Sequence, residues 1–233
     1  MLHVILAECA VERVPAEIAD SAQIARDAKR REKEPAKMLL DSSRHWEAMA
    51  KLPDRERRAR PDILHFCLLT ALESVCNKSG NLKVLVHTQN DELMRVNPVT
   101  RLPRVYERLT GLLEDLYEKR KLAIKDGTEL LSIEEHWPLE NVLMEIPKDA
   151  GVFVFDPKGE KKTLAELGKI LSGKTEGVEC DWAVITGGFA HGVFSNARAL
   201  EKIGKISVSN RELAAWTALG MAIYAYESTR DMG

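Results

Sequence analysis

ITGGFAHG, from Ile185 to Gly192, is the stretch that decides how the rest of this 233-residue sequence is interpreted. An apolar run that begins at Trp182 leads into three glycines and a histidine. This pattern predicts a buried strand that ends in a tight turn. The turn could hold a nucleotide phosphate, a metal ion or another ligand, or it could serve only to redirect the chain.

The spacing of the glycines argues against the two common nucleotide-binding loops. A dinucleotide fold places GxGxxG at its first strand–helix turn, whereas Gly187, Gly188 and Gly192 lie late in the chain at another spacing. The P-loop pattern GxxxxGK followed by Ser or Thr does not occur. His191 has no second ligand at metal spacing nearby, so no metal site is predicted. Nor do the four cysteines contain a CxxC pair; they are Cys9, Cys67, Cys76 and Cys180.

Composition indicates a soluble globular protein, with 45% hydrophobic and 30% charged residues. The length fits one large domain or a domain with an insertion. No apolar run is long enough for a transmembrane helix. Residues 1–15 are partly apolar but carry Glu8 and lack a basic start, which predicts a first strand rather than a signal peptide. We therefore expect a cytoplasmic protein with reduced cysteines and no membrane partner.

Hydrophobic patterns predict strands that alternate with helices, which indicates an α/β fold with a mostly parallel sheet covered on both faces. Strands are predicted at residues 2–7 and in LKVLVHT, LMRVNP, NVLMEIP, GVFVFD, WAVITGG and GKISVS. Helices are predicted in the basic segment after Asp20, after Asp62, from Pro103, and in TLAELGKIL and NRELAAWTALGMAIYAYES. The expected N-caps are Ser42 or Ser43, Asp62, and Ser209 or Asn210.

Charge is distributed unevenly along the chain. The net charge is −2, but residues 20–60 contain 12 Lys and Arg against 8 Asp and Glu, a local excess of 12 − 8 = +4. A local basic face is sufficient for phosphate binding, because the nearby field matters more than the total charge. The alternative is an ordinary solvated helical surface.

Three arginines in NPVTRLPRVYERL recur at spacings of three and four residues. If the segment is helical from Pro103, Arg104 and Arg108 lie one turn apart, with Arg101 just before them. Guanidinium groups at this spacing suit successive phosphates of a nucleic-acid strand. The alternative is that they pair with Glu107 or Glu114 on the surface.

A fourth arginine, Arg60, precedes Pro61 and Asp62 in RARPDILHF. The proline favours an extended entry into the following helix. The Asp62 carboxylate could pair with Arg60 and fix the direction of its guanidinium, or it could cap the helix. Both roles are compatible.

Four blocks together resemble one family: RPDILHFCLLTALES, VHTQNDELMRVNPVTRLPRVYERLTGL, GGFAHG and ISVSNRELAAW. This is the family of small-subunit rRNA pseudouridine N1-methyltransferases, ribosome-biogenesis enzymes of the SPOUT superfamily. LLDSSRHWEAM and DRERRARPD are similar to its archaeal members. The resemblance runs from about residue 39 to the end. NP-x-TR-x-PR is its specific block, and residues 130–174 match weakly.

The resemblance implies a single SPOUT domain over residues 1–233, with an N-terminal extension or insertion and a C-terminal trefoil knot. Sequence patterns alone do not predict a knot, because knots are nearly absent from known folds. The knot loops of the family bind S-adenosylmethionine. By position, the implied cofactor residues are Gly187, Gly192, Val208, Ser209, Asn210, Arg211, Glu212, Leu213 and Phe155. The family usually has another residue at Arg211 and Glu212, so backbone contacts are expected there.

The resemblance also implies a homodimer with RNA lying across its surface. Arg60, Arg101, Arg104 and Arg108 match the RNA-contacting arginines of the family, and Asp62 matches the residue that holds the first of them. The activity implied is methylation of N1 of a pseudouridine in small-subunit rRNA. No general base is identified, and His191 could be a proton acceptor or a packing residue of the turn.

Two other functions stay open on the sequence. The chain could be a non-catalytic RNA-binding assembly factor on a SPOUT scaffold. It could also be a SPOUT methyltransferase that acts on tRNA, since fold does not fix substrate.

Overall fold

An eight-stranded sheet runs through the centre of the protein. The computed structural model describes residues 1–175, 178–230 and 232. The strands of these residues are β1 Leu2–Cys9, β2 Leu82–Thr88, β3 Leu93–Val96, β4 Lys121–Ala123, β5 Glu129–Glu134, β6 Gly151–Lys161, β7 Lys174–Thr175, β8 Val178–Glu179, β9 Trp182–Gly187 and β10 Gly204–Ser207. The strand order of the main sheet is β10-β6-β9-β1-β2-β3-β5-β4, and β7 pairs with β8 separately.

The helices surround this sheet. They are α1 Ala22–Arg31, α2 Ser42–His45, α3 Pro61–Leu72, α4 Val75–Lys78, α5 Tyr106–Lys119, α6 Leu139–Leu143, α7 Leu164–Leu171 and α8 Ala215–Glu227. Short 3-10 helices span Ala16–Ile18, Pro35–Lys37, Ala48–Lys51 and Arg55–Arg57. No helix among the described residues is long and apolar enough to cross a bilayer.

The sheet is parallel in one half and antiparallel in the other. Strands β10, β6, β9, β1 and β2 run parallel, whereas β3, β5 and β4 pair antiparallel. The prediction of a mostly parallel sheet is therefore confirmed only for the first half. Because parallel strands share a direction, their carboxyl ends meet at one edge. Gly187, Cys9 and Ser207 all lie at that edge.

Side chains of the central strand β1 alternate between two hydrophobic clusters. Val4 and Leu6 pack with residues of α3, α5, α7 and α8 on one face. Ile5 and Ala7 pack on the other face with α6 and with Leu200. This alternation follows from the period of two along a strand. A third cluster, which includes Ile24 and Met49, gives residues 14–59 a small core of their own.

The predicted strand in NVLMEIP is wrong, because its first three residues are the end of α6 and the residues after them form a turn. Leu139 and Val142 are three residues apart and both buried in the second cluster, which is helical rather than strand spacing. No strand is predicted between the helix expected from Pro103 and Pro138, but the structure has β4 and β5 there. Sequence periodicity missed them because β4 is short and exposed at the edge of the sheet.

Two predicted helix starts are also wrong. The helix expected from Pro103 begins at Tyr106, because the carbonyl of Pro103 pairs with His65 Nε2 at 2.8 Å instead of entering a helix. The final helix begins at Ala215, with Ala214 and not Ser209 or Asn210 as its N-cap. Residues 208–213 are therefore a loop.

The other predicted caps differ as well. Asp41 rather than Ser42 or Ser43 caps α2, since its carboxylate accepts a hydrogen bond from the backbone N–H of Ser43. Asp62 lies inside the first turn of α3 and does not cap it.

The contact between Gly188 and Cys9 fixes the end of β9 against the end of β1. The Gly188 N–H donates to Ala7 O at 2.8 Å, and the Ala10 N–H donates to Gly188 O at 3.0 Å. A Cβ at position 188 would lie 2.8 Å from Cys9 Cα and would overlap its sulfur. The glycine is thus required for this close approach.

We predict that Gly188→Ala lowers the free energy of unfolding by about 1–3 kcal/mol, because the added methyl group forces β1 and β9 apart. Gly111→Ala is the matched control, since no atom lies within 4 Å of its added Cβ in α5. That change should stabilise the protein by about 0.5–1 kcal/mol through helix propensity. Urea denaturation measures both, and equal stabilities for the two variants would contradict the packing argument.

Candidate functional site

The glycine turn after β9 is shaped by its own neighbours. A Cβ at Gly187 would lie 2.7 Å from the ring of Phe189. Gly192 has a φ of +91°, a conformation that side chains with a Cβ rarely adopt. Gly192 is therefore needed for the backbone conformation of the turn, whereas Gly187 leaves room for the Phe189 ring to pack against the end of β9. His191 is exposed between them.

A buried carboxylate, Glu8, holds the loop that follows this turn. It accepts hydrogen bonds from the backbone N–H groups of Ser195 at 2.8 Å and Asn196 at 2.7 Å, and from Asn196 Nδ2 at 3.1 Å. Arg57 Nη2 donates to the same carboxylate at 2.9 Å. A buried charge is tolerated when it is paired and fully hydrogen-bonded, as Glu8 is.

The backbone at Glu8 is bent so that its side chain reaches this position. The register of β1 against β2 shifts between Leu6 and Cys9, and Glu8 has a φ of 52°. Such a bulge changes the direction of a side chain at the end of a strand. The Glu8 N–H donates to His87 Nδ1 at 3.2 Å, and burial lowers the pKa of His87. His87 is thus a neutral acceptor at this point. Sequence reasoning missed Glu8 as a site residue; its only signal was an acidic residue in an apolar strand.

Arg57 connects the charged connector of residues 53–60 to the loop after the turn. Its Nη1 donates to Val193 O at 2.6 Å. Its guanidinium also lies 4.4 Å from the ring centroid of Phe189, a cation–π contact. The connector and the glycine turn are therefore held together by one side chain.

The loops after β6, β9 and β10 lie side by side, because these strands are close in the sheet order. Strand β6 pairs with β10 at Val154, leaves it, and pairs again at Glu160. Lys161 donates to Ser207 Oγ at 2.9 Å and to Ser209 O at 2.5 Å, which ties the loop after β10 to β6. Sequence reasoning did not single out Lys161.

The predicted cofactor residues fall into three places. Gly187 and Gly192 bound the turn after β9, and residues 208–213 form the loop before α8. Phe155 is buried and packs edge-on against Phe153, so its side chain belongs to the core. Arg211 and Glu212 are exposed. The structure therefore brings the ends of β9 and β10 to one edge of the sheet, whereas Phe155 lies within β6, which continues to Lys161 instead of ending in a loop at that point.

Asp62 holds Arg60 through two hydrogen bonds, as the sequence predicts. Arg60 Nε and Nη2 donate to the carboxylate at 2.8 and 2.7 Å, and this pairing raises the pKa of Arg60. The Arg60 N–H also donates to Ala10 O at 2.7 Å, which anchors its backbone at the end of β1. A guanidinium has five N–H donors, so donors remain for a further ligand.

The other three predicted arginines are exposed. Within the part of the chain that the structure describes, no carboxylate lies at ion-pair distance from Arg101, Arg104 or Arg108. Pairing with Glu107 or Glu114 is therefore contradicted. Glu114 is buried and instead accepts from Arg31 at 2.7 Å and Lys33 at 2.5 Å, and Glu107 lies 3.6 Å from Arg44. Of the three arginines, only Arg108 lies on α5.

One cleft of about 390 Å³ brings the turn and the basic connector together. His191 lines it from the glycine turn, and Arg55, Arg58 and Arg60 line it from the connector, with Trp46 beside them. Arg58 is held by Glu12 through two hydrogen bonds, which raise its pKa. Among residues 1–175, 178–230 and 232, no three His, Cys, Asp or Glu side chains are grouped to bind a metal ion.

The same residues can be compared with known proteins. The family model described as EMG1/NEP1 methyltransferase matches residues 4–227. The chain belongs to this family. Among curated relatives, the ribosomal RNA small subunit methyltransferase Nep1 of Thermococcus kodakarensis is 44% identical over 228 residues, covering 98% of both chains. Nep1 of Pyrococcus furiosus is 43% identical over 226 residues, covering 97% of this chain and 96% of the relative.

A solved structure agrees with the sequence match. Archaeoglobus fulgidus Nep1 bound to S-adenosylhomocysteine superposes with a TM-score of 0.84 at 34% identity, over 97% of each chain. The family resemblance and the α/β SPOUT-type fold class inferred from the sequence are confirmed. The trefoil knot stays a prediction.

We predict that Glu8→Gln lowers the free energy of unfolding by about 2–4 kcal/mol, because an amide leaves Arg57 uncompensated and turns a donor toward two N–H groups. Hydrogen exchange at Ser195 and Asn196 should rise at the same time. Glu201→Gln, at an exposed residue of the same half of the chain, is the control and should change neither quantity. Unchanged stability and exchange in Glu8→Gln would show that the carboxylate does not hold the loop.

Proposed function

We propose that this protein transfers a methyl group from S-adenosylmethionine to N1 of a pseudouridine in small-subunit rRNA, as a step of ribosome biogenesis. The observation that carries the proposal is the cleft in which His191 of the glycine turn faces the Asp62-held Arg60. The cleft is lined by the glycine turn at the sheet edge, where the cofactor would bind, and by the arginines of the connector, where RNA would bind. The family and the S-adenosylhomocysteine bound by the Archaeoglobus protein support the choice of cofactor.

The cofactor would lie against the loops after β9 and β10 and against β6 near Phe155. We assign to it the turn bounded by Gly187 and Gly192, the loop from Val208 to Leu213, and backbone near Phe155. The loop of residues 208–213 lies outside the hydrogen bonds of α8, so its amide and carbonyl groups can face a ligand, apart from Ser209 O and the Arg211 N–H, which are bonded within the protein. Lys161 would hold this loop in place through Ser209 O. The exposed side chains of Arg211 and Glu212 are compatible with backbone contacts from that loop.

The RNA would be held by Arg60, Arg101, Arg104 and Arg108. Exposed guanidinium groups without carboxylate partners attract phosphates strongly. Asp62 would keep Arg60 pointed in one direction, while contacts to phosphates would fix the position of the strand without selecting its sequence. We further infer a homodimer with RNA across its surface, a single knotted domain over residues 1–233, and a cytoplasmic location near the ribosome.

Most of the rate acceleration would come from positioning. When bound, S-adenosylmethionine supplies a methyl group on a sulfonium sulfur. The neutral thioether that departs, S-adenosylhomocysteine, is a good leaving group. The chain must hold the nitrogen in line with that methyl group and exclude competing water. His191 is exposed and lines the cleft, so its imidazole is placed where it could accept the N1 proton. Pocket contacts must reject uridine, whose sugar occupies the nitrogen to be methylated.

A methyl-transfer assay on two RNA hairpins tests the function. One carries pseudouridine at the loop position and the other carries uridine, and both are incubated with protein and radiolabelled S-adenosylmethionine. We expect label only in the pseudouridine hairpin. RNA binding without any transfer would indicate an assembly factor, and labelling of tRNA instead would indicate a tRNA methyltransferase; either result overturns the proposal.

We predict that Arg101→Ala and Arg104→Ala each weaken hairpin binding and lower the slope of log affinity against log salt by about 1, because one phosphate contact is lost. Cofactor affinity by calorimetry should be unchanged. Lys125→Ala removes an exposed charge in the β4–β5 turn and is the matched control. If both arginine variants keep the parental affinity and slope at several salt concentrations, the arginine assignment is wrong.

A further inference from the structure

The cleft has a second feature, an exposed indole covered by a guanidinium. We propose that Trp46 and Arg55 form a stacking platform for an unpaired nucleobase of the RNA, next to the base that is methylated. This inference rests on the proposed function, since it assumes an RNA substrate. It assigns a binding role to two residues outside the glycine turn and outside the predicted arginine set.

The exposure of Trp46 is the first observation. Trp46 is 41% exposed to solvent, although burial of a large aromatic ring usually stabilises a protein. The guanidinium carbon of Arg55 lies over the Trp46 ring, 4.3 Å from its centroid. Both residues line the cleft that also contains Arg60 and His191. An indole and a guanidinium plane are the two surfaces on which proteins stack unpaired bases.

Hydrogen bonds of the preceding residues hold the segment that carries Trp46 in place. Trp46 follows directly on α2, whose N-cap is Asp41. His45 is fully buried, with Nδ1 accepting from the Asp41 N–H at 3.1 Å and Nε2 facing Asp27 at 3.2 Å. A stacking surface held in place loses less entropy when a base binds.

The segment that carries Trp46 is also hydrogen-bonded to the start of α5, next to the predicted RNA-binding arginines. The Tyr106 hydroxyl, at the start of α5, donates to Asp41 at 2.8 Å. Tyr106 lies between Arg104 and Arg108 in the sequence. The element that carries Trp46 is therefore hydrogen-bonded to the segment that carries these arginines, and a strand held by them passes close to the cleft.

The charges in the cleft favour RNA over an apolar ligand. Arg55, Arg58 and Arg60 contribute positive charge, and Glu56 is the acidic residue among those that line the cleft. Arg58 and Arg60 are each engaged by a carboxylate, whereas Arg55 lies over the indole. A cation on the ring face strengthens stacking with a base, and its charge remains available to the adjoining phosphate.

The base on the platform is a neighbour of the target and not the target itself. Trp46 belongs to the N-terminal segment, whereas the cofactor loops follow β9 and β10. The methylated base must enter at those loops. A base on Trp46 would hold the strand next to the target, which helps to keep the target out of its stack.

Three variants at position 46 test the platform on the pseudouridine hairpin. Trp46→Ala should weaken binding by about 5- to 100-fold, the range expected for loss of one aromatic stack. Trp46→Phe should retain most of the affinity, and Trp46→Leu, which is apolar but has no π-face, should lose it. The salt slope should stay at the parental value in all three, because no phosphate contact is removed.

A hairpin series with one abasic loop position at a time identifies the stacked base. At one loop position other than the methylated one, the parent and Trp46→Ala should bind the abasic RNA with equal affinity. The missing base has already removed the stacking contact, so removal of the indole costs nothing more. Parental affinity in Trp46→Ala, or a loss of equal size at every abasic position, would overturn the platform. In that case Arg101→Ala would still weaken binding if the proposed function holds. Failure of the parent to bind or methylate the hairpin would instead reject the proposed function.

Discussion

The buried carboxylate of Glu8 is the interaction on which the arrangement of the site depends. It lies at the end of the central strand, where β1 is bulged, and it joins Arg57 of the connector to Ser195 and Asn196 after the glycine turn. Three chain segments far apart in sequence are thereby fixed to one charged group. Without it, Arg57 would lose its carboxylate partner, and the connector would be joined to the loop after the glycine turn only through the Arg57 contacts with Val193 O and the Phe189 ring.

The arginines near the cleft fall into two classes that the charge count alone does not separate. Arg57, Arg58 and Arg60 are each engaged by a carboxylate, so their positions are defined before any ligand binds. Arg101 and Arg104 are exposed and carry their charge into solvent. The first class therefore gives direction, and the second gives long-range attraction to a polyanion. Arg57, Arg58 and Arg60 contribute to the positive excess of residues 20–60, but a carboxylate already compensates the charge of each. The charge count therefore overestimates how strongly this segment can bind a polyanion.

The parts of this structure that could be predicted from sequence are those that local pattern determines. The β-branched and apolar runs at residues 2–7 and 182–187 gave strands, and the Arg60–Asp62 pair followed from a spacing of two residues. The prediction failed where a long-range contact decided the local structure. Pro103 does not begin a helix because its carbonyl is hydrogen-bonded to His65. The segment α6 is a helix because Leu139 and Val142 both pack in the second hydrophobic cluster. Glu8 was missed for the same reason, since its partners lie up to 188 residues away.

Rigidity at the turn agrees with a reaction that is driven by placement more than by acid–base chemistry. The titratable groups best held near the turn are committed to structure: Glu8 is saturated with donors, and His87 accepts the Glu8 N–H. Burial and the neighbouring Cys67 and Glu8 raise the pKa of Cys9, so it stays a thiol. These groups cannot remove a proton without giving up the contacts that define the loop. A methyl group on a sulfonium needs little chemical assistance, but it needs the nitrogen in line and at contact distance. A turn closed by Gly188 against Cys9 and braced by Arg57 meets that requirement, because these contacts fix its position before any ligand binds.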